Sequence, residues 1–331
     1  MAPVDGAPMV LTGATGFIGS RVARTLLARG DAVVAVVRDG DSKAAAALRA
    51  SGVRVTAGEL TSEDEMATVM AGAACMIHIA GAYRVGIRAS DRPAMHEANV
   101  VATQRVLDGA IAAGVPRIVY VSTVNVFGNT HGRVADESYR RDPAEGFLSY
   151  YDETKYLAHV AAEGRIEAGA PIVIVQPGTV YGANDHSGIG AQLKGAYDGT
   201  ARFIGFASTG ISPTHVDDVA GGIVAAADRG IPGESYILTG SNIRLGEAMR
   251  VAARLAGRKP PRLVIPNAVL RVGARLFPNG GAALGVAPNL REIVRSSDGV
   301  TYWGSNAKAV AELGFRPRSF EVGIRDAFEG G

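Results

Sequence analysis

Thr12-Gly13-Ala14-Thr15-Gly16-Phe17-Ile18-Gly19 stands directly after an apolar run at residues 8–11 and opens a segment of helical pattern at 17–29. Each glycine of this Gly-x-x-Gly-x-x-Gly spacing has a physical purpose in a strand–turn–helix setting. Gly13 permits the tight turn, Gly16 lets the backbone approach a phosphate, and Gly19 lets the helix pack close to the strand. The N–H groups at the helix start, together with the helix dipole, then suit the pyrophosphate of a dinucleotide. Glycine is abundant, 43 of 331 residues, so the spacing alone would prove little. Its place between a strand and a helix carries the argument.

Nineteen residues beyond Gly19 the next strand ends in Val36-Val37-Arg38. An NAD site usually places an acidic residue there for the ribose 2′-OH, whereas an arginine suits a 2′-phosphate. Arg38, with Lys43 close by, makes NADP the expected cofactor ahead of NAD. Asp39 is the competing detail, because it would reach the ribose if the strand ended one residue later.

The alternation continues outward from this turn. Further strands are expected at 32–37, 53–56, 75–80, 117–122 and 172–176, with helices at 42–50, 62–70, 93–113 and 149–168 between them. Strands apolar throughout are buried on both faces, the mark of a parallel sheet covered by helices. The expected fold class is therefore α/β, a doubly wound parallel sheet of the Rossmann type with a smaller C-terminal substrate-binding lobe. Residues 1–180 form the dinucleotide-binding domain. Residues 211–240 return to it through a helix at 216–228 and a strand at 235–238, and 181–331 build mainly the lobe. Residues 181–210 read as irregular. Lobe helices are expected near 245–256, 267–276, 287–294, 306–313 and 320–328. The one at 267–276 carries Arg271 and Arg275 beside Val and Leu, and core packing is expected of it rather than a lipid surface.

Composition excludes several classes. Thirty-four Lys and Arg against 32 Asp and Glu leave a formal +2 with no basic stripe, so no nucleic-acid partner is expected. The single cysteine, Cys75, forbids an intramolecular disulfide and every multi-cysteine metal site, and its apolar neighbours mark it as a buried structural thiol. The six histidines lack His-x-x-x-His spacing, so no metal site is expected. His186 lies in the loop after the sixth strand, where substrate contact is the alternative to a structural or surface role. No stretch approaches a membrane span, and a cytoplasmic location is expected.

Tyr151-Asp152-Glu153-Thr154-Lys155 carries the chemistry. The i, i+4 spacing puts Tyr151 and Lys155 on one helix face, where an ammonium is expected to favour the phenolate and fit the tyrosine for proton exchange with an alcohol or carbonyl. The fifth strand ends in Val121-Ser122-Thr123-Val124-Asn125, which places a hydroxyl beside the nicotinamide.

These residues resemble the extended short-chain dehydrogenase/reductase family, also called the NAD-dependent epimerase/dehydratase family. The resemblance spans nearly the whole chain. It includes Gly58-Glu59-Leu60, His78-Ile79-Ala80-Gly81, Asn99-Val100, Phe127-Gly128, Gln176-Pro177-Gly178-Thr179-Val180-Tyr181-Gly182 and His215-Val216-Asp217-Asp218-Val219-Ala220. It implies that Thr123 binds the reacting oxygen, Tyr151 exchanges its proton, and Lys155 lowers the tyrosine's pKa and holds the nicotinamide ribose. Gly13, Thr15, Gly16, Phe17 and Ile18 would line the pyrophosphate, and Leu60 the adenine. Ala80 and Gly81 would lie along the ribose and nicotinamide, with Pro177 and Val180 at the carboxamide. Asn99 would support a water relay or serve helix packing. Glu59 departs from the family's usual Asp. The substrate pocket is expected around Ala82, Tyr83, Asn125 and Tyr181.

Nucleotide-sugar epimerases usually carry a diphosphate-gripping arginine about four residues before the segment that begins here at His215. Gly210-Ile211-Ser212-Pro213-Thr214 has none, and only Arg202 or Arg244 would substitute. The strand endings look more like the dihydroflavonol-reductase-like and 3β-hydroxysteroid-dehydrogenase-like branch. The expected function is thus NADP(H)-dependent interconversion of a ketone or aldehyde and an alcohol, on a small-molecule substrate. The alternatives are a nucleotide-sugar epimerase or dehydratase, and a non-catalytic redox-sensing module. By analogy with the family, a homodimer would form through the helices at 99–113 and 149–168.

Overall fold

A short strand with every side chain buried belongs in the interior of a sheet covered on both faces. In the computed structural model, which describes residues 6–58, 63–279 and 287–329, most strands of the first half meet that condition. β1 (Met9–Thr12) and β2 (Val33–Val37) are buried throughout, whereas β3 (Arg54–Ala57) is an edge strand with exposed ends. β4 (Cys75–His78), β5 (Ile118–Val121) and β6 (Ile172–Pro177) are again fully buried. Four short strands follow in the lobe: β7 (Thr179–Tyr181), β8 (Phe203–Ile204), β9 (Gly210–Ile211) and β10 (Pro213–His215). β11 (Ser235–Leu238) then comes back to pair with β6, and β12 (Ile243–Arg244) and β13 (Leu263–Val264) complete the set.

The main sheet has seven strands, all parallel, in the order β11-β6-β5-β4-β1-β2-β3. The fold is the doubly wound Rossmann type. Alternate side chains feed two apolar layers. Leu11, Ile77, Val119 and Val173 pack on one side with α1 (Phe17–Ala28), while α2 (Lys43–Ala50) adds Ala45 and Leu48. Val10, Met76, Ile118 and Ile172 pack on the other with α3 (Glu63–Met70). Burying each such large side chain contributes about 1.5–3 kcal/mol. Cys75 lies in the first layer, where burial pushes its thiol up to about 12, so it is an inert packing residue.

The helix expected over 93–113 is continuous in path but not in hydrogen bonding. α4 (Arg92–His96) passes through a π-turn at Glu97–Val101 into α5 (Ala102–Ala112). The extra residue in that turn is a feature that periodicity cannot show. α6 (Tyr150–Glu167) follows, started by Ser149, whose hydroxyl accepts from Asp152 N at 3.1 Å.

The region read as irregular contains α7 (Gly188–Asp198), a correction to the sequence reading. Its three glycines mask the pattern, but Ser187 caps its start and Gly199, in the left-handed region, ends it. α8 (Val216–Arg229) covers the sheet beside α1. α9 (Leu245–Leu255), α7 and α12 (Phe320–Phe328) enclose the lobe core around Leu193, Met249 and Ile324. The helix expected at 287–294 is shifted to α11 (Leu290–Ser297), because Asn289 caps it by accepting from Glu292 N. Residues expected as a helix at 306–313 end in a second π-turn, Ala309–Leu313. The helix at 267–276, α10 (Asn267–Leu276), buries only Ala274, so the expectation of core packing fails. No helix among the described residues is long and apolar enough to cross a membrane.

Candidate active site

Strand order reverses between β1 and β4, so the chain leaves their carboxyl ends in opposite directions and opens a crevice. Gly13 sits at that point with φ +75°, and a Cβ on it would fall 2.7 Å from Ala80 N. Only glycine lets the two strand ends approach so closely. A Cβ on Gly19 would fall 2.1 Å from Gly13 O, which closes α1 onto the turn. Gly16 is the N-cap of α1, with no capping side chain and no acidic residue in the first turn. The first-turn N–H groups are therefore left to an outside acceptor, and negative charge is favoured there. This cradle fits a dinucleotide pyrophosphate.

The crevice widens into a cleft of about 660 Å³ that brings nearly all the expected residues together. Gly13, Thr15, Gly16, Phe17, Ile18, Arg38, Ala80, Gly81, Asn99, Pro177 and Val180 line it. So do Thr123, Tyr151 and Lys155, and at the other end Ala82, Tyr83 and Asn125. Leu60 and Glu59 lie outside the described residues. Tyr181 is elsewhere: it is buried in the lobe core, its ring edge-on to His215 and Phe320 and its hydroxyl donating to Phe320 O at 3.4 Å. Its expected substrate role is therefore corrected to a packing role. The spacing after Pro177 hid this, because it does not fix the side of the chain to which the last residue of β7 turns.

Arg38 follows β2, exposed, at the edge of the cleft. Asp39 is engaged in its own turn, its carboxylate accepting from Asp41 N at 2.9 Å. Arg49, in the last turn of α2, donates to Gly40 O at 2.7 Å and adds to Arg38 and Lys43 a cation that the sequence did not point to.

At the reacting end, Thr123 is extended backbone that caps a 3-10 turn (Val124–Phe127), with its hydroxyl accepting from Asn125 N at 3.3 Å. Tyr151 is 8% exposed, and Tyr83 packs edge-on to it with ring centroids 4.8 Å apart. Burial raises the Tyr151 hydroxyl well above its usual pKa, with Tyr83 and Asp152 adding to the effect and the Thr123 hydroxyl opposing it. The expected lowering by Lys155 is not what the geometry produces. The ammonium donates to Val121 O at 3.0 Å and lies 4.9 Å over the Tyr120 ring, and burial brings its own pKa down to about 8. Desolvation is the largest influence on both groups.

Behind these groups lies a polar layer that periodicity could not reveal. The Thr123 hydroxyl donates to Asn125 Oδ1 at 3.2 Å, and Asn125 Nδ2 donates to Asp152 Oδ1 at 2.9 Å. Asp152 is 1% exposed, its second oxygen has no hydrogen-bond partner among the described residues, and burial raises it to about 6. Asn99, carried on the π-turn, accepts from Ala82 N at 2.6 Å and donates to Ala82 O and Thr154 Oγ1. Its amide thus splints the loop after β4 to α6. Glu292 of α11 does similar work from the lobe, accepting from Gly86 N at 3.2 Å and Tyr150 N at 3.1 Å. His78 bridges Thr12 and Thr103 at the end of β4, and burial drives it down to about 3. His186 lines the cleft beside Asp185 and Ser187.

The remaining polar candidates lie elsewhere. His215, Asp217 and Asp326 bring three possible ligand atoms within 4.8 Å of one another, but the guanidinium of Arg318 already binds Asp326 and Asp218. Arg244 donates to Ser208 O and stacks 5.0 Å from the Trp303 ring, and Arg202 is exposed beside Phe203. Neither lines the cleft. Among its described lining residues Arg38 is the one arginine.

Comparison with known proteins agrees with this geometry. Residues 9–238 match the model of the NAD dependent epimerase/dehydratase family. A 4-hydroxy-2-methyl-3-oxo-4-farnesyl-3,4-dihydroquinoline-1-oxide ketoreductase of Stigmatella aurantiaca is 30% identical over 267 residues, covering 80% of this chain and 78% of its own. Sterol demethylase protein B of Methylococcus capsulatus is 28% identical over 328 residues, covering 96% of each. The crystal structure of gox2253 superposes with a TM-score of 0.81 at 31% identity, over 97% of this chain and 96% of that one.

Proposed function

The chain belongs to the NAD-dependent epimerase/dehydratase family and is an enzyme, and on that premise we propose that it is an NADP(H)-dependent carbonyl reductase or alcohol dehydrogenase. The observation that carries this reading is the placement of Thr123, Tyr151 and Lys155 in the same cleft as the Gly13–Gly19 cradle. The nicotinamide would supply or take the hydride at the substrate's carbonyl carbon. Thr123 would turn its hydroxyl from Asn125 to hold the carbonyl oxygen, and Tyr151 would give that oxygen a proton as the alcohol forms. A tyrosine whose pKa is raised by burial keeps that proton at neutral pH, which suits it to the reducing direction.

Two further features favour a reductase over a sugar-nucleotide enzyme. No arginine lines the cleft among the described residues except Arg38, which sits at the adenosine end, so a diphosphate sugar would lack a guanidinium clamp. The relatives' names include a ketoreductase and a 2-alkyl-3-oxoalkanoate reductase. Arg38, with Asp39 turned to its own loop, supports NADP ahead of NAD. In the same reading the homodimer would use α5 and α6, which leave Ile111, Leu157 and Val160 partly exposed.

The test is oxidation of NADPH with a panel of ketones and aldehydes. Tyr151→Phe should lower turnover by about 10²–10⁴ and leave NADPH affinity almost unchanged. Full turnover in that variant would refute the assignment. Turnover of a sugar nucleotide on copurified cofactor, with no added NADP(H), would replace it with the epimerase or dehydratase reading.

A further inference from the structure

The C-terminal lobe carries an exposed apolar face flanked by cations. Phe203 and Leu263 lie opposite each other in the β8–β13 pair and are 51% and 61% exposed. Two residues beyond β13, α10 leaves Val269, Val272 and Leu276 more than half exposed, and Phe277 follows them. At about 100° per residue the three α10 positions fall in one sector of roughly 60°, on the side away from Ala274. Arg271 and Arg275 project from the flank between the two. The helix therefore has two apolar faces, and only one of them is packed.

Charge in the stretch around this face is far less balanced than the whole-chain +2 suggests. Residues 248–291 contain eight Lys and Arg and no Asp or Glu, leaving 26 cations against 32 acids elsewhere, a net −6. Seven of the eight are exposed, and among the described residues Arg271 alone has an ionic partner, Asp298 at 2.7 Å. Arg202 adds another exposed cation next to Phe203.

We propose that this face docks on an anionic lipid bilayer, with α10 and the β8–β13 edge laid against the headgroup region. A bilayer meets both halves of the surface at once, taking the aliphatic sector into the acyl boundary and pairing the cations with lipid phosphates. A second copy does not, since a self-complementary contact through this face would set two groups of unpaired cations against each other. A nucleic acid would satisfy the cations and leave Val269, Val272 and Leu276 without a partner. The face is linked through α11 to segments beside the cleft: α10 packs on α11, and Glu292 of α11 holds Gly86 and Tyr150. The inference rests on the surface alone and stands whichever reaction the cleft performs.

Co-sedimentation of the full chain with vesicles tests it, using phosphatidylcholine alone and phosphatidylcholine with an equal share of phosphatidylglycerol. The wild type should bind the anionic vesicles and be released by high salt. Arg262→Glu with Arg275→Glu should weaken binding by roughly tenfold or more, and Val272→Asp with Leu276→Asp should do likewise. All four positions are exposed, so melting temperature and NADPH binding should match the wild type. Absence of binding to the anionic vesicles, or equal binding by both variants, overturns the proposal. So does a wild type that elutes as a dimer and becomes a monomer in either variant, which would make the occupant a second copy.

Discussion

Asn125 Nδ2 donates to Asp152 Oδ1 at 2.9 Å, tying the turn after β5 to the residue next to Tyr151. Because the carboxylate takes the NH₂ group, the amide oxygen is left facing Thr123, whose hydroxyl donates to it. The direction of the Thr123 proton is thus set by a buried acid two side chains away. Glu292 raises the cost of ionising Asp152 and Arg141 lowers it, while the nearby Ser149 hydroxyl and Asn125 favour the carboxylate; burial exceeds them all.

That balance predicts how stability responds to pH. Asp152 ionises near 4 in an unfolded chain and at about 6 in the fold, so its burial favours the protonated form. Its contribution to stability is therefore present in acid and is lost as pH rises from about 4 to about 6, by on the order of 3 kcal/mol. Asp152→Asn should flatten this part of the profile and be relatively more stable above pH 6. Urea unfolding of both proteins across that window checks it, and an identical slope in the variant would contradict the assignment.

Gly13→Ala should abolish dinucleotide binding. The substitution meets both a positive φ and Ala80 N at 2.7 Å, so β1 and β4 must separate at the crevice. The strain costs about 1–3 kcal/mol, visible as a lower melting temperature, together with loss of NADPH fluorescence enhancement.

Arg38→Ala separates the two cofactors. If Arg38 pairs with the 2′-phosphate, its loss removes about 1.5–3 kcal/mol from NADPH binding and little from NADH binding. Titration calorimetry with each nucleotide reads the difference; equal losses would remove Arg38 from the phosphate site.

Glu292→Ala should act at a distance from the reacting atoms. It leaves Gly86 N and Tyr150 N without their shared acceptor, at a cost of about 1–3 kcal/mol. The loop bearing Tyr83 should loosen, raising KM for the carbonyl substrate with little change in NADPH affinity. Steady-state kinetics at varied concentrations of each substrate separates those effects.

The sheet was legible because it rests on local patterns. Runs such as Val33–Val37 are apolar on both faces, and such runs describe buried parallel strands wherever they occur. The Gly13–Gly19 spacing and Tyr151–Lys155 are likewise short-range, and the structure sets them in one cleft. α7 was not legible, since three glycines interrupt its apolar rhythm while its caps, Ser187 and Gly199, act through geometry. Tyr181 was misplaced because the side of the chain on which a side chain emerges depends on what packs there.

The amino-acid sequence by itself determined the doubly wound α/β architecture, the dinucleotide turn and the Tyr–Lys pair, all of which depend on spacing within a few turns of chain. Only the tertiary structure decided the rest. It sent Lys155 to Val121 and the Tyr120 ring, assembled Thr123, Asn125 and Asp152 into one hydrogen-bonded line, and left the outer face of α10 uncovered. The physical reason is that desolvation and hydrogen-bond satisfaction depend on neighbours distant in sequence, and those neighbours are known only once the chain has folded.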